Sequence, residues 1–64
     1  MNIIHKKQDK HGTTWAVNAA ENKFTIVFKE RNSVFWSTNC ETYNDPDPAI
    51  KAIRRIVEQN ETEV

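Results

Sequence analysis

The feature that most constrains the fold is a change of hydrophobic period at residues 44–48, Asn-Asp-Pro-Asp-Pro. Before this segment, apolar residues alternate with polar ones, which is typical of strands with one buried face. After it, the apolar residues between Ala49 and Val57 recur at intervals of three and four, which places them on one side of a helix. The sequence therefore predicts an α+β protein in which the strands come first and one amphipathic helix comes last.

Three segments carry the strand pattern, and they are residues 13–19, 23–29 and 33–38. The short gaps between them contain Asn22 and Asn32, and asparagine tolerates the left-handed backbone that tight hairpins need. We therefore expect an antiparallel β-meander over residues 13–39. Residues 1–12 form either a fourth strand at the sheet edge or an arm.

The helix is predicted over residues 47–59, because Pro48 fits the first helical position and Asp47 fits the cap before it. A polar tail, residues 60–64, should fray. A sheet this small needs a cover on its apolar face, and the helix is the cover that the sequence offers. We expect one small domain over residues 1–64, a three- or four-stranded antiparallel β-meander covered on one face by a single C-terminal α-helix.

The expected lengths of the two loops decide which side chains face the helix. A two-residue loop at residues 21–22 places Val17 opposite Ile26 and Trp15 opposite Phe28, so all four join the core.

A three-residue loop at residues 30–32 places Val34 opposite Phe28 and Trp36 opposite Ile26, so both join the same core. The same register leaves Val27 and Phe35 side by side on the other face, which one helix cannot cover. An apolar centre with a polar rim is typical of a binding patch. The predicted patch consists of Phe35, Val27, Thr25, Ser37, Lys23, Lys29 and Arg31. The alternative interpretation is that Phe35 and Val27 form a cross-strand pair that only stabilises the sheet.

Few residues could carry chemistry. His5, His11 and Cys40 do not have the spacing of a structural zinc site, and no third group is evident that would orient a Cys/His pair. Gly12 is the only glycine, so the chain has no glycine-rich phosphate loop. We expect no enzyme activity, no metal and no cofactor.

Charge and cysteine content narrow the partner and the compartment. The chain has nine Lys and Arg against nine Asp and Glu, whereas nucleic-acid-binding domains are usually strongly basic. The basic residues are nevertheless concentrated in residues 1–31 and the acidic ones in residues 32–64. A single cysteine excludes an internal disulfide and favours the cytoplasm, and no apolar run reaches the roughly 18 residues of a membrane span.

The predicted order of elements resembles the DNA-binding domains of the plant AP2 type and of some integrase N-termini, as well as small bacterial cell-division regulators. The resemblance covers most of the chain but is one of topology and not of sequence motif. It implies DNA binding through the exposed sheet face with Arg and aromatic side chains, and that face here offers Lys23, Lys29 and Phe35. The order also resembles compact phage proteins that block a host enzyme or toxin.

Two functional hypotheses follow. The first is a small regulator or inhibitor that binds a protein partner through the open sheet face, encoded by a phage or another mobile element. A homodimer through the same face is a variant of it. The second is a nucleic-acid-binding module in which Lys and Arg side chains contact phosphates and Phe35 stacks on a base.

Overall fold

The fold is a four-stranded antiparallel sheet with one helix packed on it, as seen in a computed structural model that describes residues 2–62. The elements are β1 (Ile3–Gln8), β2 (Thr14–Ala20), β3 (Lys23–Lys29), β4 (Ser37–Tyr43) and α1 (Pro46–Thr62). The strands lie side by side in the order β1-β2-β3-β4, so the sheet is a meander. The predicted α+β class is therefore confirmed, and the residues before the meander form a fourth strand.

The β2–β3 hairpin has the predicted loop and register. Glu21 and Asn22 make a two-residue turn with φ angles of 52° and 64°, both in the left-handed region that such turns require. Val17 lies opposite Ile26, and Trp15 lies opposite Phe28 with ring centres 5.1 Å apart. This register directs alternate side chains of both strands toward the helix.

The last strand differs from the prediction, because β4 is Ser37–Tyr43 and residues 30–36 form a loop. Phe28 pairs with Ser37, so the predicted pairing of Phe28 with Val34 is wrong. Between Val27, which pairs with Thr38, and Thr25, which pairs with Thr42, the register shifts. A strand at the edge of the sheet can be polar. Ser37–Tyr43 has few apolar residues, so its composition does not predict a strand.

The predicted exposed pair of Val27 and Phe35 does not form. Val27 is 3% exposed and lies in a central strand between Ala16 of β2 and Thr38 of β4. Phe35 lies in the loop, away from any strand pairing. The prediction that Val27 is exposed is wrong, whereas Phe35 is 77% exposed.

The helix is longer than predicted at both ends. It begins at Pro46. The Asp-Pro pair at the start of the helix is therefore Asp45 and Pro46, and not the predicted Asp47 and Pro48. Asp47 lies in the first turn, where a negative charge is favourable near the positive end of the helix dipole. The helix continues to Thr62, so residues 60–62 do not form the expected tail, and residues 63–64 lie outside the described part of the chain.

The main core lies between α1 and the sheet. It consists of Val17, Ile26, Ala49, Ala52, Ile53 and Val57, each at most 1% exposed. Trp15, Phe24, Tyr43, Ile50 and Ile56 pack around them. Because α1 occupies this side, the opposite face of the sheet, which we call the outer face, has no helix over it.

Candidate functional site

The most exposed apolar side chains of residues 2–62 lie together in the loop between β3 and β4. We call residues 30–36 the apical loop. Val34 is 79% exposed and Phe35 is 77% exposed, whereas the next large apolar side chain, Ile4, is 44% exposed. Adjacent large apolar residues are rarely this exposed on a protein surface that has no binding role.

Hydrogen bonds within the apical loop fix its shape. The Ser33 backbone N–H donates to the Glu30 carbonyl oxygen at 3.0 Å, which closes a turn. The Phe35 N–H donates to Ser33 Oγ at 3.2 Å, and Ser33 Oγ donates to the Phe35 carbonyl oxygen at 3.3 Å. All of these bonds join residues two or three positions apart, so they shape the loop without drawing its apolar side chains into the core.

A second connection, the turn at residues 9–13 between β1 and β2, lies beside the apical loop. Asp9 is 6% exposed and accepts four hydrogen bonds. Its Oδ1 accepts from the backbone N–H of His11 at 2.9 Å and of Thr13 at 3.0 Å. Its Oδ2 accepts from Trp15 Nε1 at 3.1 Å and from Asn60 Nδ2 at 3.0 Å. Burial alone would raise the pKa of Asp9, but these bonds outweigh it and hold the pKa below the ordinary value of 3.8.

The turn and the apical loop meet at Gly12 and Arg31. Gly12 has a φ of 91°, which favours glycine, and a Cβ at this position would lie 2.6 Å from Arg31 Nε and 3.1 Å from Arg31 Cβ. Arg31 was predicted to lie at the rim of a patch on the sheet. The structure places it instead against the neighbouring turn.

An open pocket of about 600 Å³ lies at the junction of these two connections. His11 and Thr13 line one side of it, and residues 30–35 line the other. The pocket combines an imidazole, a carboxylate and a guanidinium with the apolar surface of Val34 and Phe35. Such a mixture suits contact with a side chain or loop of another protein.

The outer face of the sheet is a second, chemically different surface. Strand pairing and alternation assign to it Lys6, Gln8, Thr14, Ala16, Asn18, Ala20, Lys23, Thr25, Val27, Lys29, Thr38 and Thr42. None of these described residues is Asp or Glu. At one corner a pocket of about 300 Å³ is lined by lysine side chains and by Trp36, with Lys29 Nζ 5.0 Å from the centre of the Trp36 ring.

The predicted site residues are therefore divided between the two surfaces. Thr25, Lys23 and Lys29 lie on the outer face together with Val27, as predicted, although Val27 is buried among its neighbours. Ser37 pairs with Phe28 and so belongs to the side of the sheet that faces the helix, which makes its predicted place on the outer face wrong. The binding roles of these residues stay predictions.

Two residues that matter here were missed by sequence reasoning. Val34 was assigned to the core because Val-Phe-Trp has the composition of a strand. The sequence does not show that Asp9 is a buried acceptor, although an Asp followed three residues later by Gly is a frequent turn signal. That signal predicts a turn, but it does not predict that Trp15 and Asn60 also bind the same carboxylate.

The candidate chemical groups are separated in the structure. His5 lies in β1 opposite Val17, His11 lies in the turn and lines the larger pocket, and Cys40 lies within β4. Among the described residues, no group of three or more His, Cys, Asp or Glu side chains could hold a metal ion. Over residues 2–62, no helix has both the length and the apolar character needed to cross a bilayer.

Comparison with known proteins supplies no family for the chain: no family model, no curated protein and no solved structure matches it.

Proposed function

We propose that the protein is a non-catalytic binding protein, a regulator or inhibitor, that attaches to a protein partner through the apical loop. The observation that carries this proposal is the exposure of Val34 and Phe35, at 79% and 77%, on a loop ordered by its own hydrogen bonds. With Cys40 as its only cysteine, the protein is suited to the reducing conditions of the cytoplasm, where we place it.

The energetics favour this surface as a contact site. Burying a side chain such as valine or phenylalanine contributes about 1.5–3 kcal/mol, so the two together would supply a substantial part of a complex's stability. A loop that is already ordered loses less conformational entropy on binding than a flexible one. The polar groups of Glu30, Arg31 and Asn32 would then form the rim around an apolar centre.

This proposal keeps Phe35 as the central residue of the predicted patch and replaces Val27 with Val34. Self-association is a second arrangement that would bury the same two side chains, because a symmetric dimer could pair two loops.

The test is affinity capture from a lysate of the host, with nuclease added, followed by mass spectrometry. We expect the wild-type protein to retain a specific protein, and Phe35→Asp to lose it because a carboxylate would be buried against an apolar site. Asn22→Asp is the matched control, because it adds the same charge at an exposed position in the β2–β3 turn, outside the proposed site, and removes no apolar surface. Circular dichroism checks that all three chains are equally folded.

Equal capture by wild type and Phe35→Asp would contradict the proposal, as would a captured species that disappears with nuclease. Size-exclusion chromatography of the purified protein distinguishes the self-association variant. In that case the wild type elutes as a dimer and Phe35→Asp as a monomer, whereas Asn22→Asp elutes as the wild type does.

A further inference from the structure

We propose that the outer face of the sheet, together with Trp36, is a second binding site, separate from the exposed Val34 and Phe35 side chains, and that its ligand is single-stranded nucleic acid. The two sites are carried by different observations: the loop by exposed apolar side chains, the outer face by charge and by one half-exposed indole. Either proposal can therefore fail without the other.

The first observation is the sign of the charge. Lys6, Lys23 and Lys29 lie on the outer face, and none of the described residues that strand pairing assigns to it is acidic. The whole chain, by contrast, has equal numbers of acidic and basic residues. A local surface of one sign on a neutral protein concentrates a ligand of the opposite sign at that surface.

The second observation is Trp36, which lies beside the lysines and not in the core. Its ring is half-buried, has Lys29 Nζ 5.0 Å from its centre, and lines a pocket of about 300 Å³ together with Lys6 and Thr14. An aromatic ring next to cations can stack on a base while the cations contact the adjoining phosphates. Bases are free to stack in this way when they are unpaired, which favours a single strand over a duplex.

The dimensions of the face agree with this ligand. Lys23 and Lys29 are the two ends of β3, and six residues of strand at ~3.3 Å each separate them by ~20 Å. A single strand that stays stacked with the duplex rise of ~3.4 Å per phosphate covers that distance with about six nucleotides, and a more extended strand needs fewer. Ala16 and Val27, at the centre of the face, are 0% and 3% exposed, so the strand would contact the polar side chains around them and not these two residues.

The test is fluorescence anisotropy with a fluorescein-labelled oligothymidylate of about 15 nucleotides at about 50 and 200 mM NaCl. For single strands the logarithm of the affinity falls by about 0.7 per phosphate contact for each tenfold rise in salt. Three lysine contacts then predict a loss of about 20-fold over this range. The variant Lys6→Gln/Lys23→Gln/Lys29→Gln should bind much more weakly and with a salt dependence near zero.

The matched control is Lys51→Gln/Arg54→Gln/Arg55→Gln, which removes the same charge from the exposed face of α1, on the other side of the molecule. It should bind as the wild type does. Lys6→Arg/Lys23→Arg/Lys29→Arg keeps the charges and should retain binding, which guards against a loss caused by misfolding. Trp36→Leu should weaken binding at least about five-fold if a base stacks on the ring.

Several outcomes would overturn the proposal. They are no anisotropy change for the wild type at about 50 mM salt, equal losses in the outer-face and helix-face variants, and no effect of Trp36→Leu. Tighter binding of a duplex of the same length, or equal competition by polyglutamate, would also overturn it, because either result would show that the face attracts anions without recognising unpaired bases.

Discussion

The β1–β2 turn and the β3–β4 loop lie at the same end of the sheet, but their side chains lie in opposite environments. The turn at residues 9–13 directs a carboxylate inward, where Asp9 is 6% exposed and bonded to the turn, the sheet and the helix. The apical loop directs Val34 and Phe35 outward, with nearly four fifths of each exposed. A charged group is thus buried in one connection, and large apolar groups lie in water in the other.

The two connections differ in how far apart in sequence their hydrogen-bonded residues are. The bond from Asn60 to Asp9 joins residues 51 positions apart and ties the end of α1 to the first hairpin. The bonds around Ser33 join residues two or three positions apart and tie the apical loop only to itself. The turn therefore contributes to global stability, whereas Val34 and Phe35 of the loop can be changed at little cost to folding.

Asp9→Ala should destabilise the protein more than any other change at this end. It removes the acceptor of four hydrogen bonds and leaves the Trp15 N–H and the Asn60 amide without their partner, at an expected cost of about 3 kcal/mol. A domain of this size seldom has more than about 3–5 kcal/mol in total. Urea unfolding followed by circular dichroism should show a strongly lowered midpoint or a chain that is already unfolded.

Asp9→Asn sharpens the test, since it keeps one acceptor oxygen for the backbone N–H groups but presents an amide to Trp15 and Asn60. Its midpoint should fall between those of the wild type and Asp9→Ala. A free energy of unfolding for Asp9→Ala within about 0.5 kcal/mol of the wild-type value would show that the buried carboxylate does not stabilise the fold.

Gly12→Ala should cost about 2 kcal/mol, less than the loss of Asp9. The new Cβ would lie 2.6 Å from Arg31 Nε and 3.1 Å from Arg31 Cβ, in a backbone conformation that alanine seldom adopts. Combining it with Arg31→Ala relieves the contact with the side-chain end and leaves the backbone strain. In a double-mutant cycle measured by urea unfolding, the double variant should lose less stability than the sum of the single variants. Additive losses would mean that residue 12 and Arg31 do not interact.

Acid should weaken the turn through the same carboxylate. The pKa of Asp9 in the folded protein is below the ordinary value of 3.8, so the ionised form stabilises the fold. This contribution is complete above pH 3.8 and is lost as the pH falls from there through the lower folded pKa. Thermal melts between about pH 5 and pH 2 should show a steeper loss of Tm for the wild type than for Asp9→Asn. Glu58→Gln, an exposed carboxylate on α1, serves as the control and should follow the wild type.

The β2–β3 hairpin could be predicted from sequence because every local signal agrees there. The alternation in residues 23–29 assigns the faces, and a two-residue gap at Glu21-Asn22 fixes the register. The α+β class follows in the same way from the change of period at the prolines. Each of these inferences depends on residues that are neighbours in sequence.

The β3–β4 connection could not be predicted, because composition shows which residues are apolar but not which are covered. Val34, Phe35 and Trp36 have the composition of a buried strand, and the true strand Ser37–Tyr43 is mostly polar. The role of Asp9 could not be predicted from sequence for a related reason. Its turn is visible in the sequence, but its bond to Asn60 exists only after the helix has packed against the sheet.

Val34→Ser and Phe35→Ser should leave stability within about 0.5 kcal/mol of the wild type, because neither side chain is covered in the folded protein. Val57→Ser provides the contrast, since it removes a side chain that is 0% exposed in the core and should destabilise the protein by about 3 kcal/mol or more. Urea midpoints of the three variants check both statements. If Phe35→Ser cost as much as Val57→Ser, the apical loop would be a structural cover like the helix, and its apolar residues would not be free to meet a partner.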